Sequence, residues 1–339
     1  MIKEKDLKYN NGLVLGKFYG LHTGHLYTID TALKNCQNVY IIVCHNKLQD
    51  IEGSDRIKSL TEHYIDNNIT ILSFEDDGLP QYPNECQTLD EFYSYWVSAV
   101  YSLVSDLDVV FTSEEYGDEF ASYLGIDHFL VDKERKVFPI SGTEIRQDPY
   151  SKWEFVPDTS KHLYIKRVAL MGPESVGKST LGERLSDHYQ TENIIEWGSV
   201  IFEQNGNHVD LKDFIKISKI RQQDEDTKIH LSNKVLICDT EDITTYIFSK
   251  MFYPDRYQEI EGFFKEKIKN QKKYDVYILY KPDCVGFQDG TRKFLDDREK
   301  HYQVIKEHLQ KNGCNYFEVG GDWEDRFKSS IGIIDGLFN

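Results

Sequence analysis

Two short stretches of this 339-residue chain carry residue types at spacings that suit phosphate chemistry. The first is Gly16-Lys17-Phe18-Tyr19-Gly20-Leu21-His22-Thr23-Gly24-His25. Two histidines separated by Thr-Gly follow an apolar run and open a helix-like stretch, which puts both imidazoles and several free backbone N–H groups at a helix N-terminus. Such a place favours anions through its unpaired donors and its dipole. Nucleotidyl transfer needs this environment: an acceptor phosphate attacks the α-phosphorus of ATP, while the protein positions the reactants and stabilises charge on the triphosphate. No protein nucleophile is required. A histidine pair alone is more often an ordinary helix-start feature, so the spacing by itself leaves the choice open.

A later segment decides it, Ile140-Ser141-Gly142-Thr143-Glu144-Ile145-Arg146. If it opens a helix, Ser141 and Thr143 cap it or bind phosphate, and Arg146 forks onto β- and γ-phosphate oxygens. Alone, Ser-Gly-Thr is a plain helix cap. Together the two segments resemble the paired signature of the HxGH nucleotidyltransferase superfamily. That resemblance makes Gly16, Lys17, Phe18, His22, His25, Ser141, Gly142, Thr143 and Arg146 the expected ATP contacts, with His22, His25 and Arg146 catalytic.

The second stretch, Gly172-Pro173-Glu174-Ser175-Val176-Gly177-Lys178-Ser179, fits G-x-x-x-x-G-K-S between a strand-like Val168-Ala169-Leu170-Met171 and a helix start at Thr180-Leu181. Its glycines let backbone N–H groups cradle phosphates, Lys178 reaches the β- and γ-phosphates, and Ser179 holds Mg²⁺. The expected ATP contacts are Gly172, Glu174, Ser175, Val176, Gly177, Lys178, Ser179 and Thr180. Asp239 closes the apolar run Val235-Leu236-Ile237-Cys238, where a P-loop fold supplies a carboxylate to the metal or its water; Asp242 and Thr244 stand nearby. Asp289-Gly290-Thr291-Arg292 and Arg298 read as a lid that brings arginines, Arg292 above all, to the ATP. A solvated loop followed by a charged helix is the other reading, and it suits Arg298 better than Arg292.

The elements around these motifs alternate as βαβ units do. Apolar runs at Leu13–Leu15, Val39–Cys44, Ile69–Phe74, Val109–Phe111 and Phe129–Val131 are separated by helix-like stretches from His25, from Ser54, over Leu89–Val104 and near Glu119. This rhythm predicts a doubly wound, Rossmann-like α/β domain over residues 1–150. Turn formers around Asp148-Pro149 and Pro157-Asp158, with Trp153 and Phe155 as the only large apolar groups, mark a short linker at 151–162. Periodicity resumes in a second α/β domain over 163–339: runs at Tyr164–Met171, Val235–Cys238, Val276–Tyr280 and Tyr316–Phe317, with helices from Lys178, over Asp297–Gln310 and at the end.

The composition agrees with a two-domain globular enzyme: 40% hydrophobic residues, 13% of the total aromatic, can offset the entropy of folding. The formal charge of −17, from 57 acidic against 40 basic residues, argues against general nucleic-acid binding, which needs a basic face. Phosphates must then be held by local devices. Six scattered cysteines without a C-x-x-C pair indicate neither a zinc site nor a disulfide framework, and no apolar run is long enough for a membrane span or signal. A cytoplasmic location is expected; the oligomeric state is left open, a homo-oligomer included.

An HxGH nucleotidyltransferase followed by a P-loop kinase resembles the bifunctional nicotinamide mononucleotide adenylyltransferase and ribosylnicotinamide kinase proteins of the NadR type. The resemblance runs from about Asn11 to the C-terminus. It is carried further by Val131-Asp132, Glu134-Arg135, Trp153-Glu154-Phe155-Val156-Pro157 and Asp239-Thr240-Glu241-Asp242-Ile243-Thr244-Thr245. It implies ATP-dependent phosphorylation of nicotinamide riboside in the second domain and adenylyl transfer to the mononucleotide in the first, giving NAD and pyrophosphate. Asp239 would orient or deprotonate the ribose hydroxyl and contact Mg²⁺ with Ser179, and Glu196 and Trp197 would form the nucleoside pocket, the indole facing a cationic ring.

Three positions depart from the family pattern. Glu196-Trp197-Gly198-Ser199 has Ser199 where members tend to have Arg. Gly20 replaces the usual Pro. Some members begin with a helix-turn-helix, whereas a short polar stretch precedes the first strand here, so DNA binding is not expected. Two other readings stay open: the same folds acting on another acceptor, or a metabolite sensor with a degenerate kinase site, suggested by Ser199.

Overall fold

The computed structural model describes residues 7–65, 68–270, 274–285 and 294–339. The chain divides into two compact units, Met1–Leu163 and Tyr164–Asn339.

In the first unit β1 (Tyr9–Gly16), α1 (Thr23–Asn35), β2 (Cys36–His45), α2 (Gly53–His63), β3 (Ile69–Glu75), α3 (Leu89–Leu103), β4 (Val109–Thr112), α4 (Gly117–Leu124) and β5 (Asp127–Leu130) alternate. The strands form one parallel sheet in the order β3-β2-β1-β4-β5. A parallel sheet must be covered on both faces, which is why its strands read as unbroken apolar runs. Successive side chains divide between two cores. Val14, Ile41, Val43, Val109 and Phe111 pack with Ile29 and Ala32 of α1 and Leu60 of α2. Leu13, Ile42, Cys44 and Val110 pack with Tyr93 and Val100 of α3 and Phe120 and Leu124 of α4. The chain winds outward from β1 to β3 and returns to β4 on the other side of β1. Strand order therefore reverses between β1 and β4, and the crevice beyond their carboxyl ends is where open α/β sheets bind ligands.

α5 (Gly142–Gln147), a single 3-10 turn at Trp153–Phe155 and α6 (Asp158–Lys161) complete this unit. Residues 151–162, read from the sequence as a linker, are part of it. Val156 is buried, Tyr150 stacks on Trp153 at 6.2 Å between ring centroids, and α6 packs against α2. The turn formers break the helical periodicity but leave these apolar groups docked.

The second unit contains β6 (Lys166–Met171), α7 (Lys178–Tyr189), β7 (Asn193–Ile194), α8 (Trp197–Gln204), α9 (Asp213–Lys228), β8 (Val235–Asp239), α10 (Asp242–Phe252), α11 (Gln258–Asn270), β9 (Val276–Tyr280), α12 (Arg298–Lys311), β10 (Tyr316–Val319) and α13 (Trp323–Asp335). Its five strands are parallel in the order β10-β9-β6-β8-β7, so β6 lies between β8 and β9. Val168, Leu170, Ile237 and Ile278 pack against Leu181 and Leu185 of α7 and Ile334 of α13. A separate cluster with Ile201, Phe214, Ile217, Tyr246 and Phe264 joins α8, α9, α10 and α11.

These four helices are not evident from the sequence, and α9 shows why. Its buried side carries Ser218, Arg221 and Glu225 beside Phe214 and Ile217, so the apolar period that marks a helix is interrupted. The buried charges are paired, as desolvation requires. Arg221 bonds Glu225 and meets Asp242 at 2.8 Å, Ser218 Oγ donates to Asp242 at 2.6 Å, and Arg167 reaches Glu225 at 3.2 Å.

Candidate active sites

β1 ends at Gly16, and the next turn delivers His22 as the N-cap of α1. The Nδ1 of His22 accepts the N–H of Gly24 at 3.1 Å, and the Nδ1 of His25 accepts the N–H of His22 at 3.4 Å. The two rings lie 3.8 Å apart between centroids, with Phe18 buried against His25 at 5.3 Å. A Cβ on Gly24 would stand 2.9 Å from the His22 ring, so glycine there lets the ring fold over the cap. Burial, helped by the charge of Arg135, lowers His22 to about 4. Burial of the ring, with His22, Arg135 and Arg146 acting in the same direction, holds His25 well below its ordinary value. Both imidazoles are therefore neutral at pH 7. Because each Nδ1 accepts a backbone N–H, each proton sits on Nε2, and each ring has one N–H to offer a phosphate oxygen.

The structure brings the second segment to the first. Gly20 adopts φ +82°, and a Cβ on it would stand 2.6 Å from the Gly142 carbonyl oxygen. Proline, fixed near −65°, cannot adopt that conformation, so this departure from the family pattern belongs to the local backbone. Arg146 donates from Nη1 to the Tyr19 carbonyl at 2.6 Å and from Nη2 to Thr143 Oγ1 at 3.1 Å, with its guanidinium 4.4 Å from the Tyr19 ring. Ser141 caps α5: its Oγ accepts the Glu144 N–H at 3.3 Å and donates to the Glu144 carboxylate at 2.6 Å. Lys17, the first residue of the loop after β1, is exposed.

Two further arginines stand beside this site: Arg135, which the sequence marks only as part of the Glu134-Arg135 resemblance, and Arg56, which no motif marks. Arg135 lines one cavity with His22, His25, Gly142, Glu114 and Asp132, and donates to Glu114 at 3.2 Å. Arg56 of α2 is 1% exposed and holds the carbonyls of Lys17 at 2.7 Å and Ile51 at 2.8 Å. Nothing in local spacing marks a lone arginine in an amphipathic helix as a brace for a loop 39 residues earlier.

In the second unit β6 runs into the glycine loop and α7 begins at Lys178. The ammonium of Lys178 donates to the carbonyls of Gly172 and Pro173, both at 3.1 Å, and Ser179 Oγ donates to Asp239 Oδ2 at 2.6 Å. Asp239 is 1% exposed at the end of β8, next to β6. Ser175 takes φ +59°, turning the loop, and Glu174 accepts the Phe294 N–H at 3.0 Å. Val176 is buried, while Ser179 and Thr180 are exposed at the first turn of α7.

Beside Lys178 opens a pocket lined by Glu174, Glu196, Ser199, Phe202, Glu203, Phe214, Thr240, Thr244, Thr245, Phe248 and Phe252. Ser199 Oγ donates to Glu196 at 2.9 Å and so orients this carboxylate. Trp197 is not among the lining residues: its Nε1 donates to Asp224 of α9 at 3.1 Å and its ring packs in the α8–α11 cluster. The aromatic wall comes instead from α8, α9 and α10, the region without a clear apolar period. Arg298 donates to the Cys284 carbonyl at 2.8 Å. Arg292 and the rest of the expected lid, 289–292, lie outside the described residues.

Comparison with known proteins agrees with this architecture. The AAA domain family matches residues 167–326. The trifunctional NAD biosynthesis/regulator protein NadR of Salmonella typhimurium is 29% identical over 350 residues, covering 96% of this chain and 82% of that protein. The same protein of Escherichia coli is 29% identical over 348 residues, covering 95% and 82%. A crystal structure of NadR in complex with NR shares the fold, with a TM-score of 0.78 at 20% identity over 97% of this chain and 96% of that one. A second, of NadR with NAD and AMP-PNP, gives 0.77 over the same shares. With both motifs in place and the similarity spanning both units, this chain is homologous to the NadR proteins along nearly its whole length.

Proposed function

We propose that this chain is a bifunctional NAD salvage enzyme of the cytoplasm, phosphorylating nicotinamide riboside in its second unit and joining the resulting mononucleotide to AMP in its first. The observation that carries the proposal is the contrast between two nucleotide sites in one chain. The first offers anionic substrates the donors of Arg146, of Arg135 beside Glu114 and Asp132, and of two neutral imidazoles. The second places Glu174, Glu196 and Glu203 around an aromatic pocket that suits a cationic nucleoside.

In the kinase reaction the riboside lies among Phe202, Phe214, Phe248 and Phe252. Its ribose hydroxyl attacks the γ-phosphorus of ATP held on the Gly172–Ser179 loop, and ADP leaves. Lys178 exchanges the carbonyls of Gly172 and Pro173 for phosphate oxygens and stabilises the transferring group. Asp239 accepts a hydrogen bond from the attacking hydroxyl and takes its proton as the P–O bond forms. The hard oxygens of Ser179 and Asp239, in contact at 2.6 Å, would hold Mg²⁺, which would supply charge neutralisation to the transferring phosphates.

In the first unit a phosphate oxygen of the mononucleotide attacks the α-phosphorus of ATP and pyrophosphate leaves. His22 and His25 donate Nε2–H to the triphosphate, and Arg146 moves from the Tyr19 carbonyl to the leaving phosphates. Ser199, where the family pattern has Arg, donates to Glu196 at 2.9 Å, and turnover separates the enzyme from a sensor that only binds.

The test is a product assay with Mg²⁺ and ATP, supplying riboside in one tube and mononucleotide in another. NAD from both tubes is the expected result. NAD from the mononucleotide alone would restrict catalysis to the first unit, and NAD from neither would replace the acceptor assignment.

A further inference from the structure

The acceptor pocket accounts for only one side of the phosphate loop. In the strand order β10-β9-β6-β8-β7 the loop leaves the central strand β6, Asp239 ends β8 on one side, and β9 and β10 lie on the other. A triphosphate whose γ-phosphate faces Asp239 runs back over Lys178 and carries its sugar and base away from β8, towards the turn that follows β10. That turn presents Trp323, the first residue of α13. Tryptophan is on average highly buried, yet this one is 49% exposed. The benzo edge of its indole abuts the phosphate loop, since a Cβ on Gly177 would stand 2.7 Å from Trp323 Cζ3. Glycine at 177 therefore meets two demands, its own φ of +86° and the room taken by the indole. Gly177 directly precedes Lys178, so the ring and the phosphate grip stand within reach of a single ligand.

The backbone that carries Trp323 is fixed from several directions. Asp322 caps α13, accepting the N–H groups of Glu324 and Asp325, both at 2.9 Å. Arg326 ties the turn to the phosphate loop, donating to the Gly321 carbonyl at 2.9 Å and to the Val176 carbonyl at 2.8 Å, while Asp283 accepts the Gly321 N–H at 2.9 Å. Arg184 of α7 pairs with Glu324 at 2.9 Å and lies 4.2 Å from the Phe327 ring centroid. A half-exposed ring on a fixed backbone is already ordered, so a flat ligand that covers it gains apolar contact at little further cost in entropy.

We propose that Trp323 is the platform on which the second unit stacks the base of its phosphate donor. Every base has a π-face, and two fused rings cover more of an indole than one, so the platform favours purine over pyrimidine nucleotides. The inference rests on Gly172–Ser179 holding a nucleoside triphosphate and not on the identity of the acceptor.

The experiment uses the full chain with its four tryptophans replaced by 5-fluorotryptophan, and ADP or CDP with Mg²⁺ as the probes. The ¹⁹F signal of Trp323 is assigned by its loss in Trp323→Phe. A saturable shift of that signal is expected with ADP, at a concentration at least about threefold lower than with CDP and at least about tenfold lower than in Lys178→Met, where the phosphate grip is weakened. In riboside phosphorylation, Trp323→Leu should raise the KM for ATP by about five- to hundredfold, with the KM for the riboside and adenylyl transfer unchanged and most of the ATP affinity kept in Trp323→Phe. No shift with ADP, equal half-saturation for ADP and CDP, a shift indifferent to Lys178→Met, or an unchanged KM for ATP in Trp323→Leu overturns the proposal. The fluorine signal is read on the wild-type fold and needs no acceptor, so its failure is distinct from failure of the riboside assignment.

Discussion

Arg56 in the first unit and Arg326 in the second are each at most 2% exposed, and each braces loops at the carboxyl edge of its sheet. Arg56 donates to the carbonyls of Lys17, Ile51 and, at 3.3 Å, Glu52. Arg326 donates to Val176 at 2.8 Å, Gly321 at 2.9 Å and Lys281 at 3.0 Å, and pairs with Asp283. The partners differ in kind. The first brace bonds neutral oxygens, so its charge is left to a site where Arg135 and Arg146 face Glu114 and Asp132. The second has a carboxylate partner beside a phosphate loop whose acceptor pocket is acidic. A net charge of −17 therefore says little about either site: in the first, arginines balance the carboxylates, and in the second, Glu174, Glu196 and Glu203 outnumber Lys178.

The sharpest way to break this comparison is a pair of crossed substitutions. His25→Ala should lower adenylyl transfer by about 10²–10³-fold and leave riboside phosphorylation intact, and Lys178→Met should do the reverse, each removing one donor aimed at developing phosphate charge. Steady-state rates of both half-reactions on both variants decide it. Loss of both activities in a folded variant would mean that the sites are not independent.

Next in size is the backbone of the first site. Gly20→Pro cannot keep φ +82° and should displace His22 and Gly142, lowering adenylyl transfer by about 10²-fold while phosphorylation is unchanged. Gly78→Ala is the control: it has the same φ but nothing within 4 Å of the added Cβ, so only local strain of ~1–2 kcal/mol is expected, with both activities retained. Full adenylyl transfer in Gly20→Pro would disprove the tight turn.

The units should also differ in their response to pH. His22 has a lowered pKa of about 4, so the folded state resists a proton that the unfolded chain accepts. Its contribution, ~3 kcal/mol, is complete above pH 6.5 and lost as pH falls from 6.5 through 4. Glu241, the N-cap of α10, is raised to about 7 by burial despite bonds from Ile243 and Thr244 N–H. Its folded state prefers the proton, so stability is complete below pH 4.5 and falls by ~3 kcal/mol as pH rises through 7. Urea unfolding at several pH values, resolved by hydrogen exchange in each unit, should show His22→Phe flattening the acid limb and Glu241→Gln the neutral one. Unchanged limbs in both variants would mean that neither group carries the dependence.

Much of this was legible in the sequence because it is local. The apolar runs of β1, β2, β6, β8 and β9 are long and buried on both faces, and the two phosphate motifs lie directly after strands. Residues acting across the chain were not legible. Arg56 and Arg326 work through contacts 39 and 150 residues away, which no spacing announces, and Arg135 is marked only by its place in the Glu134-Arg135 resemblance, not as a wall of the cavity. The acceptor pocket was hidden for a related reason. Its helices bury Arg221, Glu225 and Asp242, so composition looks solvated where the structure is core. Trp197 has the ring chemistry for a cationic nucleoside, yet neighbouring turns of the helix give the pocket to Ser199 and Phe202 and turn the indole to Asp224.

The smallest effect tests the sign of the second pocket most directly. Glu203 lines it from an exposed position, so solvent screens its attraction for a cationic ring, and charge interactions of this kind are worth ~0.2–1 kcal/mol. Glu203→Gln should therefore raise the KM for nicotinamide riboside about two- to fivefold, with kcat unchanged because the side chain stands apart from Lys178 and Asp239 in the reaction. Added salt should raise the wild-type KM and narrow the difference between the two proteins. A lower KM in the variant, or no salt response in either, would mean that the riboside is held by the phenylalanine wall alone and that the acidic residues do not select its charge.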